Sequence, residues 1–238
     1  ALSSYADYKK YYNKIKSLIH LKNNGEFELN LNYFKEINHE MPNYFTEAFI
    51  NLFGKPRKKN DAITNKHYQI ASAMQKVTEE ILFHMCNYLK QKVKSKNLVL
   101  SGGSIMNSVF NGKISNKSSF KNIFISSCPD DSGLSIGAAL ALYNVILKKK
   151  KRYLQKHNFY GPKYSNDQVI KTLDNLKIKY TKSNKVEQLI AKELSNGKLV
   201  GWFQDKMEFG QRALGNRSIL ADPRNTKMKD KINSAIKF

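Results

Sequence analysis

Residues 207–225 read MEFGQRALGNRSILADPRN. Three of the chain's five arginines, Arg212, Arg217 and Arg224, fall in this stretch, while 36 lysines carry positive charge elsewhere. Lysine serves wherever a point charge is enough. A guanidinium adds a planar fork of donors that grips carboxylate or phosphate two oxygens at a time. Clustered forks therefore mark either an anion site or a set of structural ion pairs. Lys206, Arg212 and Arg217 supply charge, Ser218 a hydroxyl, Gly210 and Gly215 turns, and Glu208 can orient one guanidinium. Converging donors of this kind suit a small phosphorylated substrate. Trp202, the sole tryptophan, reads as a packing residue rather than a stacking platform.

Two further stretches carry residues of chemical interest. In LVLSGGS (98–104), Gly102 and Gly103 stand between a strand pattern and a helix pattern. Paired glycines let backbone N–H groups approach a phosphate closely, and a helix N-terminus adds favourable polarity. The same glycines also make a tight turn that binds nothing. Asn107, read as one turn into the following helix, can add a side-chain contact. In CPDDSG (128–133), Asp130 and Asp131 precede a helix. Adjacent acids there either hold a divalent cation with its phosphates or cap the helix. Gly133 and Gly137, with Ala138 and Ala139, form a small-residue face suited to close packing or to a flat ligand. His67 and His84 lie on one helix without a second ligand at i+4, and read as surface or packed residues rather than metal ligands.

The elements that must position these residues follow from periodicity. The spacing of Ile70, Met74, Val77, Ile81, Met85 and Tyr88 predicts a helix over 67–92 with one apolar face. Next come a buried strand at 97–100, a glycine turn, a helix at 105–114, a strand at 120–127 and a helix at 132–150. That order is an α/β pattern. Alternation predicts a strand in 25–34, and 53–61 reads as a turn-rich basic loop. Residues 150–167 read as a connection between domains. Beyond it, 167–177 is helical, 178–183 strand-like, 186–197 a helix stopped by Asn-Gly, 198–204 a strand, and the C-terminal MKDKINSAIKF the start of a helix.

Composition bounds the function classes. At 238 residues, 41% hydrophobic and 25% charged, the chain is globular and holds one large domain or two modest ones. No apolar run reaches the roughly 18 residues that a membrane helix needs, and the N-terminus lacks the apolar core of a secretory signal. Two cysteines make neither a disulfide framework nor a zinc site, so a reducing, cytoplasmic setting is expected. The net charge of +22 invites a nucleic-acid reading. The lysines are spread along the chain, though, and the dense run KKKKR (148–152) reads as a solvated helix end and linker.

Together the stretches HYQIASAMQKVTEEIL, LVLSGGSIMNSVFNGKI, CPDDSGLSIGAALAL and GWFQDKMEFGQRALGNRSILADPRNTKMKDKIN resemble the ATP-dependent O-carbamoyltransferases of the NodU/CmcH family. The match covers most of residues 50–238, and the last segment is the most specific. The chain departs from the family pattern mainly at Gln211, where proline is usual.

The resemblance implies the C-terminal half of an actin/sugar-kinase-like (ASKHA) domain over 1–150, a linker over 151–166, and the start of a YrdC-like α/β domain over 167–238. It implies adenylation of carbamoyl phosphate by ATP and transfer of the carbamoyl group to a small-molecule hydroxyl acceptor. The implied cofactors are ATP, Mg2+ and a divalent transition metal such as Fe2+. By position Gly102, Gly103 and Asn107 line the nucleotide site, Asp131 is a metal ligand, and Lys206, Arg212, Arg217 and Ser218 bind carbamoyl phosphate.

The family's metal-binding histidines belong to an earlier segment, and none of His20, His39, His67, His84 or His157 stands in that motif. The chain is thus expected to be an internal fragment without a complete active site of its own. No membrane or nucleic-acid partner is expected, and homo-oligomerisation is left open. The rival readings are another ATP-using kinase-like or tRNA-modifying carbamoyl enzyme, and a basic nucleic-acid-binding module.

Overall fold

The computed structural model describes residues 2–35 and 44–236. His39 lies outside the described residues. The chain divides into two compact units. The first comprises residues 1–100 and 104–125, the second 101–103 and 126–238.

The first unit holds α1 (Lys9–Lys16), β1 (Ile19–Leu21), β2 (Phe27–Leu29), α2 (Glu47–Phe53), α3 (Asn65–Lys92), β3 (Asn97–Leu100), α4 (Ser108–Lys117) and β4 (Asn122–Ile125). The long helix α3 matches the expected span within two residues and is its spine. Thr64 and His67 form a reciprocal capping box at its start. His67 is thereby occupied as a cap. His84 is occupied too, its Nε2 lying 2.8 Å from the carbonyl of Lys22.

Along α3 the buried apolar positions are Ala73, Val77 and Cys86, while Met74 and Met85 are largely exposed. The expected face is therefore rotated toward smaller residues. The reason is that α3 serves two clusters. One gathers Tyr11, Ile15, Leu18 and Phe53 with Ala73 and Val77. The other gathers Leu98, Ile105, Phe110, Ile114 and Phe120 with Cys86.

Strands β3 and β4 pair in parallel, Asn97 against Asn122 through Leu100 against Ile125. Such a pair needs a crossover, which α4 supplies. Of β3 only Leu98 is buried, and Val99 is 70% exposed. The expected buried strand is thus covered on one face alone. The predicted strand in 25–34 is present as β2, but it pairs with the unforeseen β1, and Phe27, Leu29 and Leu31 are all exposed. Helices α1 and α2 also lay unread in the weakly patterned first 60 residues.

The helix expected at 105–114 begins later. Asn107 is its N-cap, and its Oδ1 accepts from Phe110 N at 3.2 Å. The same amide exchanges two hydrogen bonds with Gln75 of α3, at 3.0 and 3.2 Å. Gln75 in turn donates to Glu79, which is 3% exposed and also takes both oxygen contacts from Lys113 at 2.7 Å. Burial pushes the Glu79 carboxyl up, but the hydrogen bonds from Lys113 and Gln75 outweigh it and hold the group below its ordinary value. Asn107→Ala removes a cap and leaves Gln75 short of partners. It is expected to cost about 2 kcal/mol, read as a lowered midpoint in urea unfolding.

The second unit holds α5 (Leu134–Ala141), α6 (Asn166–Asn175), α7 (Val186–Ser195), β5 (Val200–Phe203), β6 (Arg217–Leu220) and α8 (Met228–Ile236). Helix α5 ends earlier than expected. It passes into a π turn over Leu142–Ile146, and Lys148 adopts a left-handed φ of 48°. The like charges of 148–152 that follow are exposed and irregular. No strand forms over 178–183. The terminal helix α8 is present as expected.

Candidate functional site

The arginine stretch is the connection of a β-hairpin. Strands β5 and β6 pair antiparallel, with Trp202 opposite Ser218 and Phe203 opposite Arg217. The loop between them, 204–216, is organised by one buried carboxylate. Glu208 is 3% exposed, and its Oε1 accepts from the backbone N–H groups of Leu214 (2.7 Å), Asn216 (2.8 Å) and Arg217 (3.1 Å). Its Oε2 lies 3.6 Å from Arg217 Nε, an ion pair too long for a hydrogen bond, and makes none. Burial pushes this carboxyl up, but the backbone donors of Leu214, Glu208 itself, Arg217 and Asn216 prevail and hold it at about 2. Sequence reasoning gave Glu208 a guanidinium to orient. Its larger role, gathering backbone donors, leaves no pattern in residue types.

The other loop bonds tighten the same turn. Asn216 is buried and donates to Lys206 O at 2.7 Å, and Gln204 N donates to Asn216 O at 2.8 Å. Arg217 donates from Nη2 to Gly210 O at 2.7 Å. Ser218 Oγ accepts from Gly215 N at 3.0 Å. Arg217 and Ser218 line a shallow depression of about 720 Å3 together with Trp202, Phe203 and Ala213. Lys206 and Arg212 are exposed on the loop, and Arg212 has its own bonded partner. Arg224 forks onto Asp222, Nε and Nη2 both reaching the carboxylate at 2.6–2.9 Å. Of the three arginines, then, Arg224 is a structural ion pair, and Arg217 is braced where it meets the depression.

Within this unit the loop meets the two other stretches of chemical interest. Gly210 has a φ of 127°, and a Cβ there would lie 2.5 Å from Ser127 O. The loop therefore touches the backbone just before CPDDSG. One residue on, the Gln211 amide donates to Asp130 Oδ2. Asp130 also accepts from Ser132 Oγ at 2.7 Å, and the Ser132 hydroxyl, with Gln211 behind it, holds the Asp130 carboxyl below its ordinary value. Asp131 begins the short 3-10 turn that leads into α5 and is exposed.

From the other side, Pro129 O accepts from Gly102 N at 2.6 Å and from Ser101 Oγ at 3.2 Å. Gly102 has a φ of 104°, and nothing lies within 4 Å of a Cβ built on Gly102 or Gly103, so that side of the turn is open. Segments 101–103, 126–133 and 204–217, separated by up to a hundred residues, thus converge around Ser127–Asp130. Asn107 belongs to the first unit, with its amide engaged as described. Among the described residues no three His, Cys, Asp or Glu side chains gather as a metal cluster. Both cysteines are free and buried. No helix among the described residues is long and apolar enough to cross a membrane.

Comparison with known proteins gives a consistent result. Residues 1–140 match the family model for the carbamoyltransferase N-terminus, and residues 191–238 the model for the carbamoyltransferase C-terminus. The chain is 34% identical over 237 residues to the Synechocystis protein sll1178, covering 93% of this chain and 37% of that one. It is 33% identical over 184 residues to the nodulation protein NolO of Bradyrhizobium diazoefficiens, covering 76% of this chain and 34% of that one. It is 25% identical over 175 residues to the 3'-hydroxymethylcephem-O-carbamoyltransferase of Amycolatopsis lactamdurans, covering 73% of this chain and 32% of that one. The chain spans about a third of the length of these relatives.

Proposed function

The chain belongs to the carbamoyltransferase family, and from that premise we propose that it is part of an O-carbamoyltransferase that activates carbamoyl phosphate with ATP and passes the carbamoyl group to a hydroxyl. The observation that carries this reading is the convergence of the glycine turn, the acidic turn and the arginine loop in one unit. The relative whose printed name is a cephem O-carbamoyltransferase supports oxygen as the receiving atom.

Carbamoyl phosphate loses its phosphoryl group to water. The carbamate oxygen then attacks the α-phosphorus of ATP, and pyrophosphate leaves. The acceptor hydroxyl next attacks the carbamoyl carbon, gives up its proton, and AMP departs. The chain's residues serve the charged parts of this sequence. Arg217, held by Gly210 O and Glu208, presents a fixed guanidinium at the depression, with Ser218 beside it and Lys206 and Arg212 on the same loop. A pre-set donor loses little in reorganising around a developing anion. Gly102 and Gly103 offer open backbone to the nucleotide phosphates. Asn107 is assigned to the nucleotide by the family resemblance alone, and its amide is engaged by Gln75 and Phe110 N.

For Mg2+ or a transition metal such as Fe2+, the residues present fit poorly. Asp130 is already committed to Ser132 and Gln211, which leaves Asp131 as a single exposed carboxylate. A divalent cation takes about six ligands. Asp131 is proposed as one of them. The same reading assigns an ASKHA-type region to 1–150, a linker to 151–166, a YrdC-like region to 167–238, and a cytoplasmic setting.

The test is pyrophosphate release by the full-length protein from ATP and Mg2+, with and without carbamoyl phosphate. Release is expected to require carbamoyl phosphate. Arg217→Lys is expected to cut kcat/KM for carbamoyl phosphate by about tenfold, since a lysine offers one flexible nitrogen in place of the planar fork that meets Gly210 O and an oxyanion from separate nitrogens. Release that ignores carbamoyl phosphate would replace this reading with that of a kinase-like enzyme.

A further inference from the structure

The first unit contains a second cavity, remote in sequence from the glycine turn, the acidic turn and the arginine loop. It holds about 460 Å3, within the range of small-molecule sites. Its floor is Phe49 and Phe53 of α2 with Ile70 and Met74 of α3. Phe45 stacks on Phe49 with centroids 4.1 Å apart and planes at 20°, so it covers one face of Phe49 and adds its own ring to the lining.

The rim has the opposite character. Lys35, Lys55, Arg57 and Lys66 line it, against one acid, Glu47. Arg57 is spent on the carbonyls of Lys59 and Asp61. Among the described residues Lys35, Lys55 and Lys66 make no ion pair. Gly54 has a φ of 85°, and a Cβ there would stand 2.6 Å from Lys66 Nζ, so the glycine keeps room for that ammonium at the mouth.

Three ammonium groups, without an ion pair among the described residues and facing the single carboxylate of Glu47, leave net positive charge at one opening, and a bound anion offsets it. An apolar aromatic floor gives nothing to a bare hydrated anion but stacks well on a flat ring. We infer that this cavity binds a small molecule with an aromatic body and an anionic head, the ring against the cluster of Phe45, Phe49 and Phe53 and the head among Lys35, Lys55 and Lys66. The inference is independent of the carbamoyl reading.

The probe is 1-naphthyl phosphate, titrated into the full-length protein by calorimetry. One saturable site per chain is expected. Inorganic phosphate, which lacks the ring, and 1-naphthol, which lacks the charge, should each bind at least tenfold more weakly. Lys66→Glu should weaken naphthyl phosphate at least tenfold. Lys55→Glu, on an exposed side chain, should act in the same direction. Equal binding of 1-naphthol, or affinity unchanged in both charge reversals, would overturn the proposal. Displacement of the probe by single-stranded RNA, with RNA the tighter ligand, would also overturn it and favour a polyanion surface.

Discussion

Glu208→Ala is expected to unfasten the 204–217 loop and lower pyrophosphate release by about a hundredfold. A single oxygen of Glu208 collects three backbone donors, and a fourth interaction links its other oxygen to Arg217. Alanine leaves those N–H groups without an acceptor, that of Asn216 buried and the other two partly so, and the loop opens to reach water. Misplacing a binding group by about an ångström is enough for a hundredfold loss. Limited trypsin digestion separates a loose loop from a merely altered charge, because Arg212 and Arg217 become cleavable as the loop opens. If the variant resists trypsin like the wild type and keeps its activity, Glu208 does not hold the loop.

The same carboxylate makes the loop sensitive to acid. Its folded value is about 2, against an ordinary 4.5. Between those values the open loop binds more protons than the closed one, so closure strengthens as pH rises across the window. The contribution is full above about pH 4.5 and lost as pH falls through about 2. Asp222, held at about 2 chiefly by the hydrogen bond from Arg224, gives the same direction. Glu208→Gln isolates the first contribution. Pepsin cleavage of the loop should accelerate as pH falls in the wild type, and with a shallower slope in the variant.

How far these features were legible in the sequence depended on whether they were local. Helix α3 and strand β3 followed from spacing, and the β3–turn–α4–β4 order followed from their alternation. The burial of β3 did not, because it depends on how many neighbours cover the sheet. Helix α1 escaped because Lys9, Lys10, Lys14 and Lys16 dilute its apolar face, although Tyr11 and Ile15 are its buried residues. Asn107 was placed inside a helix that it caps, since an asparagine suits both positions until Gln75 is seen opposite. At the site, residue types pointed to the arginine loop, but not to its centre. The pairings of Gly210 with Ser127 and Gln211 with Asp130 join positions more than eighty residues apart, and no local pattern encodes them.

Gly210→Ala tests that convergence most directly. At φ 127° an L side chain is strained whatever surrounds it. Here the new Cβ would also sit 2.5 Å from Ser127 O and 3.1 Å from Ser127 C, both backbone atoms that cannot swing aside. Strain and clash together are expected to cost about 3 kcal/mol or more, a drop in Tm of roughly 6–12 °C for a domain of this size. Relief requires the loop to move away from the acidic turn. Such a move shifts Gly210 O from Arg217 and Gln211 from Asp130, so activity should fall with stability. Gly103→Ala supplies the contrast. It lies in open space, with nothing within 4 Å of the added carbon, and should leave Tm within about a degree. If that turn receives nucleotide phosphates, the added methyl group should still raise KM for ATP. Equal melting losses in the two variants would show that the Gly210–Ser127 approach does not hold the site together. A selective loss at Gly210, with KM for ATP raised at Gly103, would place the two turns on the two sides of one reaction: the Gly103 turn against the nucleotide, the Gly210 loop against the carbamoyl donor.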